Sequence, residues 1–162
     1  MFPERIRNLG LLVMDEAAER RVRICTAESC TGGLLAALFT EFAGSSKVLE
    51  RGFVVYSNQA KAEVLNVSGD VLADYGAVSE PVARLMAEGA MEASRANLAI
   101  AITGIAGPGG GTPMKPVGTV HLACARENKA MTHEMLSLGD IGRYDVRMET
   151  LEAALNMIRA QI

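Results

Sequence analysis

The stretch that decides the fold is "VRICTAESCTGGLLAALFTEF", residues 22–42. "VRICTA" (22–27) is a short apolar run that reads as a strand. "LLAALFTEF" (34–42) sets Leu34, Leu35, Leu38, Phe39 and Phe42 at helical spacing. Between them lie Glu28, Ser29, Cys30, Thr31, Gly32 and Gly33, too polar and too rich in glycine to continue either element. The stretch is a strand-to-helix turn, and its neighbours on both sides repeat the alternation.

Upstream, Pro3 suits a first helical turn, and Ile6, Leu9, Val13 and Ala17 recur at helical spacing. Downstream, "AGSS" (43–46) breaks the helix and "RGFVVYSN" (51–58) reads as a second strand. "QAKAEVLN" (59–66) then reads as a helix with Ser57 or Asn58 as its cap, and Ser79 and Pro81 open another. "NLAIAIT" (97–103) is continuously apolar, as a strand covered on both faces would be. "VGTVHLACAR" (117–126) and "AMTHEMLSL" (130–138) flank the polar "ENK" and predict a hairpin. A last helix carries Met148, Leu151, Leu155, Ile158 and Ile162 on one stripe. Helices alternating with the first three strands imply parallel pairing with right-handed crossovers, and the hairpin adds antiparallel neighbours. The expected fold class is α/β, a mixed sheet between helical layers, in a single domain over residues 1–162.

Composition narrows the partners. At 162 residues, 49% hydrophobic and 22% charged, the chain describes a soluble globular protein. Aromatic residues make up 4% without any Trp, and a net charge of −3 comes with scattered Lys and Arg, so a nucleic-acid surface is not expected. Cys25, Cys30 and Cys124 lack framework spacing and read as reduced thiols in a cytoplasmic protein. No signal core and no membrane-spanning apolar run stand out, so no membrane partner is expected. Apolar stripes on the terminal helices predict a homo-oligomer, with a dimer favoured.

Three polar clusters fall at strand ends: "ESCTGG" (28–33), "YSNQAK" (56–61) and "TGIAGPGGG" (103–111). In an open α/β sheet such loops meet in one crevice. If Ser29 or Thr31 starts the helix, the amides of Thr31, Gly32 and Gly33 are free to hold an anion or a developing oxyanion. Taken alone, a capped turn with packing glycines explains that cluster as well. A serine nucleophile needs a base. His121 and His133 lie outside the clusters and read as surface or packing residues, whereas Lys61 falls in the first turn of its helix. There the macrodipole and burial both disfavour the ammonium form, as a Ser-Lys pair requires. Tyr56 could relay a proton or orient the lysine. Cys30 is a rival nucleophile at a helix N-terminus, though a buried filler is the reading favoured. The glycine loop matches neither G-x-x-x-x-G-K-[ST], since Pro116 follows Lys115, nor G-x-G-x-x-G, since position 112 is Thr. No ligand spacing suggests a metal, and no cofactor is implied.

Taken in order, "AESCTGG", "RGFVVYSNQAK", "GAVSEPVA" and "AITGIAGPGGGTPMKPVGTV" make the chain similar to the CinA C-terminal domain family. That resemblance runs from about residue 5 to the C-terminus and is strongest between 27 and 120. It implies a three-layer α/β/α sandwich with a mixed, mostly parallel five-stranded sheet. Members with the activity are nicotinamide-nucleotide amidohydrolases, which convert nicotinamide mononucleotide to nicotinate mononucleotide and ammonia in pyridine-nucleotide salvage. Larger members carry an N-terminal domain, so this chain resembles the stand-alone form. The resemblance assigns Ser29 as nucleophile and Lys61 as base, with Tyr56 assisting and amides after Ser29 forming the oxyanion hole. Thr31, Gly32, Gly33, Asn58, Thr103, Gly104, Ile105 and Gly107 would line the site. The family often reads G-D-R-x-x-V-R before the last helix, where a basic residue faces the nucleotide phosphate. Here "GDIGRYDVR" (139–147) offers Arg143 through a longer turn, with Arg147 as the alternative. The competing class is a non-catalytic nucleotide-binding module, which needs the same glycines; Ser29, Tyr56 and Lys61 together favour an enzyme. A third reading, an oligomeric scaffold, rests only on the terminal helices.

Overall fold

Alternation along β1 (Ile24–Glu28) starts two cores at once, because successive strand residues face opposite sides of the sheet. The computed structural model describes residues 1–162. On one side Ile24 joins Leu98, Ile100 and Ile102 beneath α1 (Glu4–Glu19), α2 (Leu34–Thr40) and α6 (Arg143–Gln161). On the other, Cys25 and Ala27 join Ala99 and Ala101 beneath α3 (Asn58–Leu65), α4 (Gly69–Tyr75) and α5 (Glu80–Glu92). The result is a three-layer α/β/α sandwich, as expected.

Its sheet has five strands in the order β2-β1-β3-β4-β5, with β2 at Leu49–Val54, β3 at Leu98–Gly104, β4 at Thr119–Arg126 and β5 at Thr132–Ser137. β1 pairs in parallel with both β2 and β3. β4 is antiparallel to β3 and β5 to β4, so β5 again runs with the first three. The sheet is therefore mostly parallel, with β4 alone reversed.

The chain steps from β1 out to edge strand β2, then crosses back over β1 to β3. Reversing direction at β1 puts α2 on one face and α3 to α5 on the other if both crossovers are right-handed, and it opens a crevice at the carboxyl ends of β1 and β3.

The two faces differ in side-chain size. Branched residues cover the α1/α2/α6 side, whereas Ala99, Ala101, Ala123 and Ala125 pave the other, letting α5 approach β3 and β4 closely. Gly89 makes a second close approach possible: a Cβ there would stand 2.0 Å from the Leu65 carbonyl oxygen at the end of α3. The apolar stripes of α1 and α6 pack against each other and the sheet, so they are spent within the fold. No helix is long and apolar enough to cross a membrane.

Three local features depart from the sequence reading. α4, seven residues capped by Ser68, was not anticipated, because one short turn-rich segment carries little periodicity. β2 ends at Val54 rather than at residue 58, since the Ser57 hydroxyl accepts the Ala60 N–H (3.0 Å) and starts α3 there. Asn58 is thus the first helical residue and Ser57 the cap. The third departure, at the start of α2, belongs to the site.

Candidate active site at the ends of three strands

The carboxyl ends of β1, β2 and β3 bring all three polar clusters to one open cavity of about 240 Å³. Ser29 and Lys61 lie at its floor, Thr103, Gly104, Ile105 and Gly107 along one wall, and Tyr56 and Arg143 at its rim.

Lys61 is 1% exposed, and its Nζ lies 2.9 Å from Ser29 Oγ, 2.9 Å from the Val55 carbonyl and 3.1 Å from the Tyr56 carbonyl. Burial lowers its pKa below the ordinary lysine value of 10.5, because the charged form loses water. Carbonyl oxygens only accept, so Nζ donates to Val55 and Tyr56 in either charge state; toward Ser29 the ammonium donates a third N–H, whereas the neutral amine offers its lone pair to the hydroxyl. Ser29 Oγ lies 3.4 Å from the Tyr56 carbonyl, so its proton is shared only weakly elsewhere.

Neither Ser29 nor Thr31 caps α2. The cap is Glu28, whose buried carboxylate accepts the N–H groups of Gly33 (3.1 Å), Leu35 (3.1 Å) and Ala36 (2.9 Å). Gly33 itself sits at φ 92°, a left-handed geometry open to glycine, where the chain bends into the helix. Two of the amides expected to be free are therefore occupied, Gly33 by Glu28 and Gly32 by the Ser29 carbonyl (3.0 Å). Ser29 N–H donates to Ile102 (3.0 Å). The N–H groups of Cys30 and Thr31 have no acceptor in the protein, and they follow the serine directly. Any oxyanion hole in this turn rests on those two.

Other placements sharpen or correct the expectations. Tyr56 touches Lys61 through its carbonyl, while its exposed phenol lies at the cavity rim within 3.5 Å of Arg143. Arg143 lines the cavity and donates to the Gly107 carbonyl (2.8 Å). Arg147 instead donates to the Thr31 carbonyl (2.9 Å) beneath the serine turn, so of the two arginines only Arg143 faces the cavity. Thr31, Gly32, Gly33 and Asn58 do not line it: Thr31 is buried, the glycines shape the turn, and Asn58 faces solvent.

Cys30, Ala77, Val78, Gly109 and Gly110 also line the cavity, beyond the residues that the resemblance assigns to it. Ala77 is brought there by Thr103 Oγ1, which donates to its carbonyl (2.8 Å). Both alanine and valine lie in "GAVSEPVA", whose place among the matching blocks was the available signal.

The glycine loop is pinned at its neck, where Ile105 N–H donates to Thr119 (2.9 Å) and Gly118 N–H to Ile105 (2.8 Å). Burial pushes the Cys30 thiol up to about 11, which agrees with a packing role. His121 and His133 bond each other (3.0 Å), and His133 approaches Glu80 (3.5 Å), away from the serine.

The model of the CinA C-terminal domain matches residues 7–162. A CinA-like protein of Anaeromyxobacter sp. (strain Fw109-5) is 50% identical over 159 residues, 98% of this chain and 38% of that protein. A CinA-like protein of Akkermansia muciniphila is 54% identical over 130 residues, 80% of this chain and 31% of that one. The chain thus spans about a third of the length of the curated relatives it matches. Among solved structures, the competence/damage inducible protein CihA of Agrobacterium tumefaciens superposes with a TM-score of 0.97 at 48% identity, covering 99% of this chain and 98% of that one. A CinA superfamily protein of Escherichia coli does so at 0.90 and 34%, over 100% and 94% of the two chains. By sequence and fold alike, the chain belongs to the CinA C-terminal domain family.

Proposed function

We infer that the chain is an amidohydrolase converting nicotinamide mononucleotide to nicotinate mononucleotide and ammonia, with Ser29 as nucleophile and Lys61 as base. The observation that carries the reading is the buried Lys61 amine 2.9 Å from Ser29 Oγ, at the floor of an open cavity. A nucleotide-binding module needs no buried lysine held against a serine hydroxyl: Lys61 Nζ is spent on Ser29 and two carbonyls, so its burial costs stability without leaving a donor free for a ligand.

In the reaction, the neutral Lys61 takes the Ser29 proton as Oγ attacks the carboxamide carbon. The Cys30 and Thr31 amides receive the oxyanion. Collapse breaks the carbon–nitrogen bond, and the lysine returns its proton to the leaving nitrogen, which departs as ammonia. Water, deprotonated by the same amine, then opens the ester and restores Ser29. Arg143 is the cation that would meet the nucleotide phosphate, a role supported by its position in the cavity lining.

Ammonia release from nicotinamide mononucleotide tests the reading. Ser29→Ala should keep the wild-type melting temperature and lose at least about a thousandfold in kcat, the scale seen when a triad-type nucleophile is removed. Cys30→Ala should retain activity. Wild-type turnover in Ser29→Ala, or loss confined to Cys30→Ala, would sink the assignment.

A further inference from the structure

Glu28 directly precedes Ser29 yet is fully buried and does not line the cavity. Burying a carboxylate is costly, and a local serine or aspartate at the helix start would cap α2 without that cost. Glu28 does something a local cap would not. Its side chain takes the Gly33, Leu35 and Ala36 amides, so it holds the far end of the turn that presents Ser29, Cys30 and Thr31. Its own carbonyl accepts the N–H of Val55 (2.9 Å), and the Val55 carbonyl in turn accepts from Lys61 (2.9 Å). One residue thereby ties the segment bearing the nucleophile to the segment that orients its base.

We propose that Glu28 is a positioning residue for the nucleophile: its three amide contacts fix the direction of Ser29 Oγ toward Lys61 and of the Cys30 and Thr31 amides toward the oxyanion. This role rests on the serine–lysine reading above. The carboxylate takes the Gly33 amide while backbone carbonyls take those of Ser29 and Gly32, which leaves the Cys30 and Thr31 amides as the turn's donors for incoming negative charge.

The test uses Glu28→Gln, which keeps the shape but replaces one acceptor oxygen with a donor, so at least one of the three contacts is lost. Glu28→Asp keeps the charge and withdraws it by one methylene. Three quantities are measured: the urea midpoint, kcat and KM for ammonia release, and the rate at which a fluorophosphonate labels Ser29. Labelling needs the serine, its base and the oxyanion donors but not the natural substrate.

In the folded variants, labelling and kcat should both fall by about tenfold or more while KM changes less than about twofold, because small misplacements of reacting groups are felt in the chemical step. A merely structural cap would lower the urea midpoint and leave both rates of the folded protein untouched. Wild-type labelling and kcat in either folded variant therefore overturn the proposal, as does failure of both variants to fold, which would make Glu28 a folding residue. A wild type that releases ammonia but is never labelled at Ser29 overturns the dyad itself, and is told apart from the other outcomes because it appears without any substitution.

Discussion

Lys61 sets the pH behaviour of the site. Burial lowers its pKa, and only the neutral amine can accept the Ser29 proton. The kcat/KM profile should therefore rise with pH and level off at a midpoint below lysine's ordinary 10.5. The stability linkage has the same sign. Between the folded and unfolded pKa values the unfolded chain binds more protons, so stability rises with pH across that window and the full penalty of a buried ammonium is felt below it. A profile flat across the folded pKa, or an acid limb that persists in Lys61→Met, would remove Lys61 as the base. Lys61 was legible in the sequence because it follows a capped turn in the cluster facing Ser29. Glu28 was legible as a residue but not as the cap of α2. It reaches amides five, seven and eight positions ahead, beyond the two- or three-residue spacing by which N-caps are recognised.

Among the elements, α3 matters most, because it carries Lys61 and is wedged against α5. The wedge works only because position 89 has no side chain: a Cβ would strike the Leu65 carbonyl at 2.0 Å, and a backbone atom cannot swing aside. Gly89→Ala should cost about 3 kcal/mol in urea denaturation, the upper end of ordinary overpacking penalties. An unchanged midpoint would mean that α3 and α5 separate freely. Most elements could be located from apolar spacing, since long amphipathic helices and the all-apolar β3 leave strong patterns. α4 escaped because seven residues make less than two full turns of pattern. The end of β2 was misplaced because Val55 and Tyr56 keep a strand-like composition between Val54, the last strand residue, and Ser57, which begins a helix.

Across the whole molecule, the two helical layers rest on unlike floors. On the alanine side, Ala101 is fully buried under α5; Ala101→Leu should cost about 1–3 kcal/mol by forcing the helix outward. On the branched side, Ile100→Ala should cost about 2–5 kcal/mol by leaving a cavity. Displacing α5 would also disturb Ala77 and Val78, which enter the cavity just ahead of it, so Ala101→Leu should raise KM where Ile100→Ala does not. Equal KM values in the two variants would show that the alanine floor serves packing alone. The layer order and the parallel pairing of the first strands followed from βα alternation in the sequence. The size difference between the faces was present in the letters of "NLAIAIT", but which face met α5 became visible only with the topology in hand.

The pinned neck of the glycine loop has an evolutionary consequence. Ile105 and Gly118 close it with two backbone bonds where β3 ends and β4 begins, so its tip beyond Ala106 can lengthen or shorten without altering a residue of either core. Doubling a loop's length costs only about 0.6 kcal/mol in closure entropy. Insertions there could reshape the wall of the cavity, and with it the size of molecule admitted, while the serine, the lysine and the stability of the sandwich are inherited unchanged.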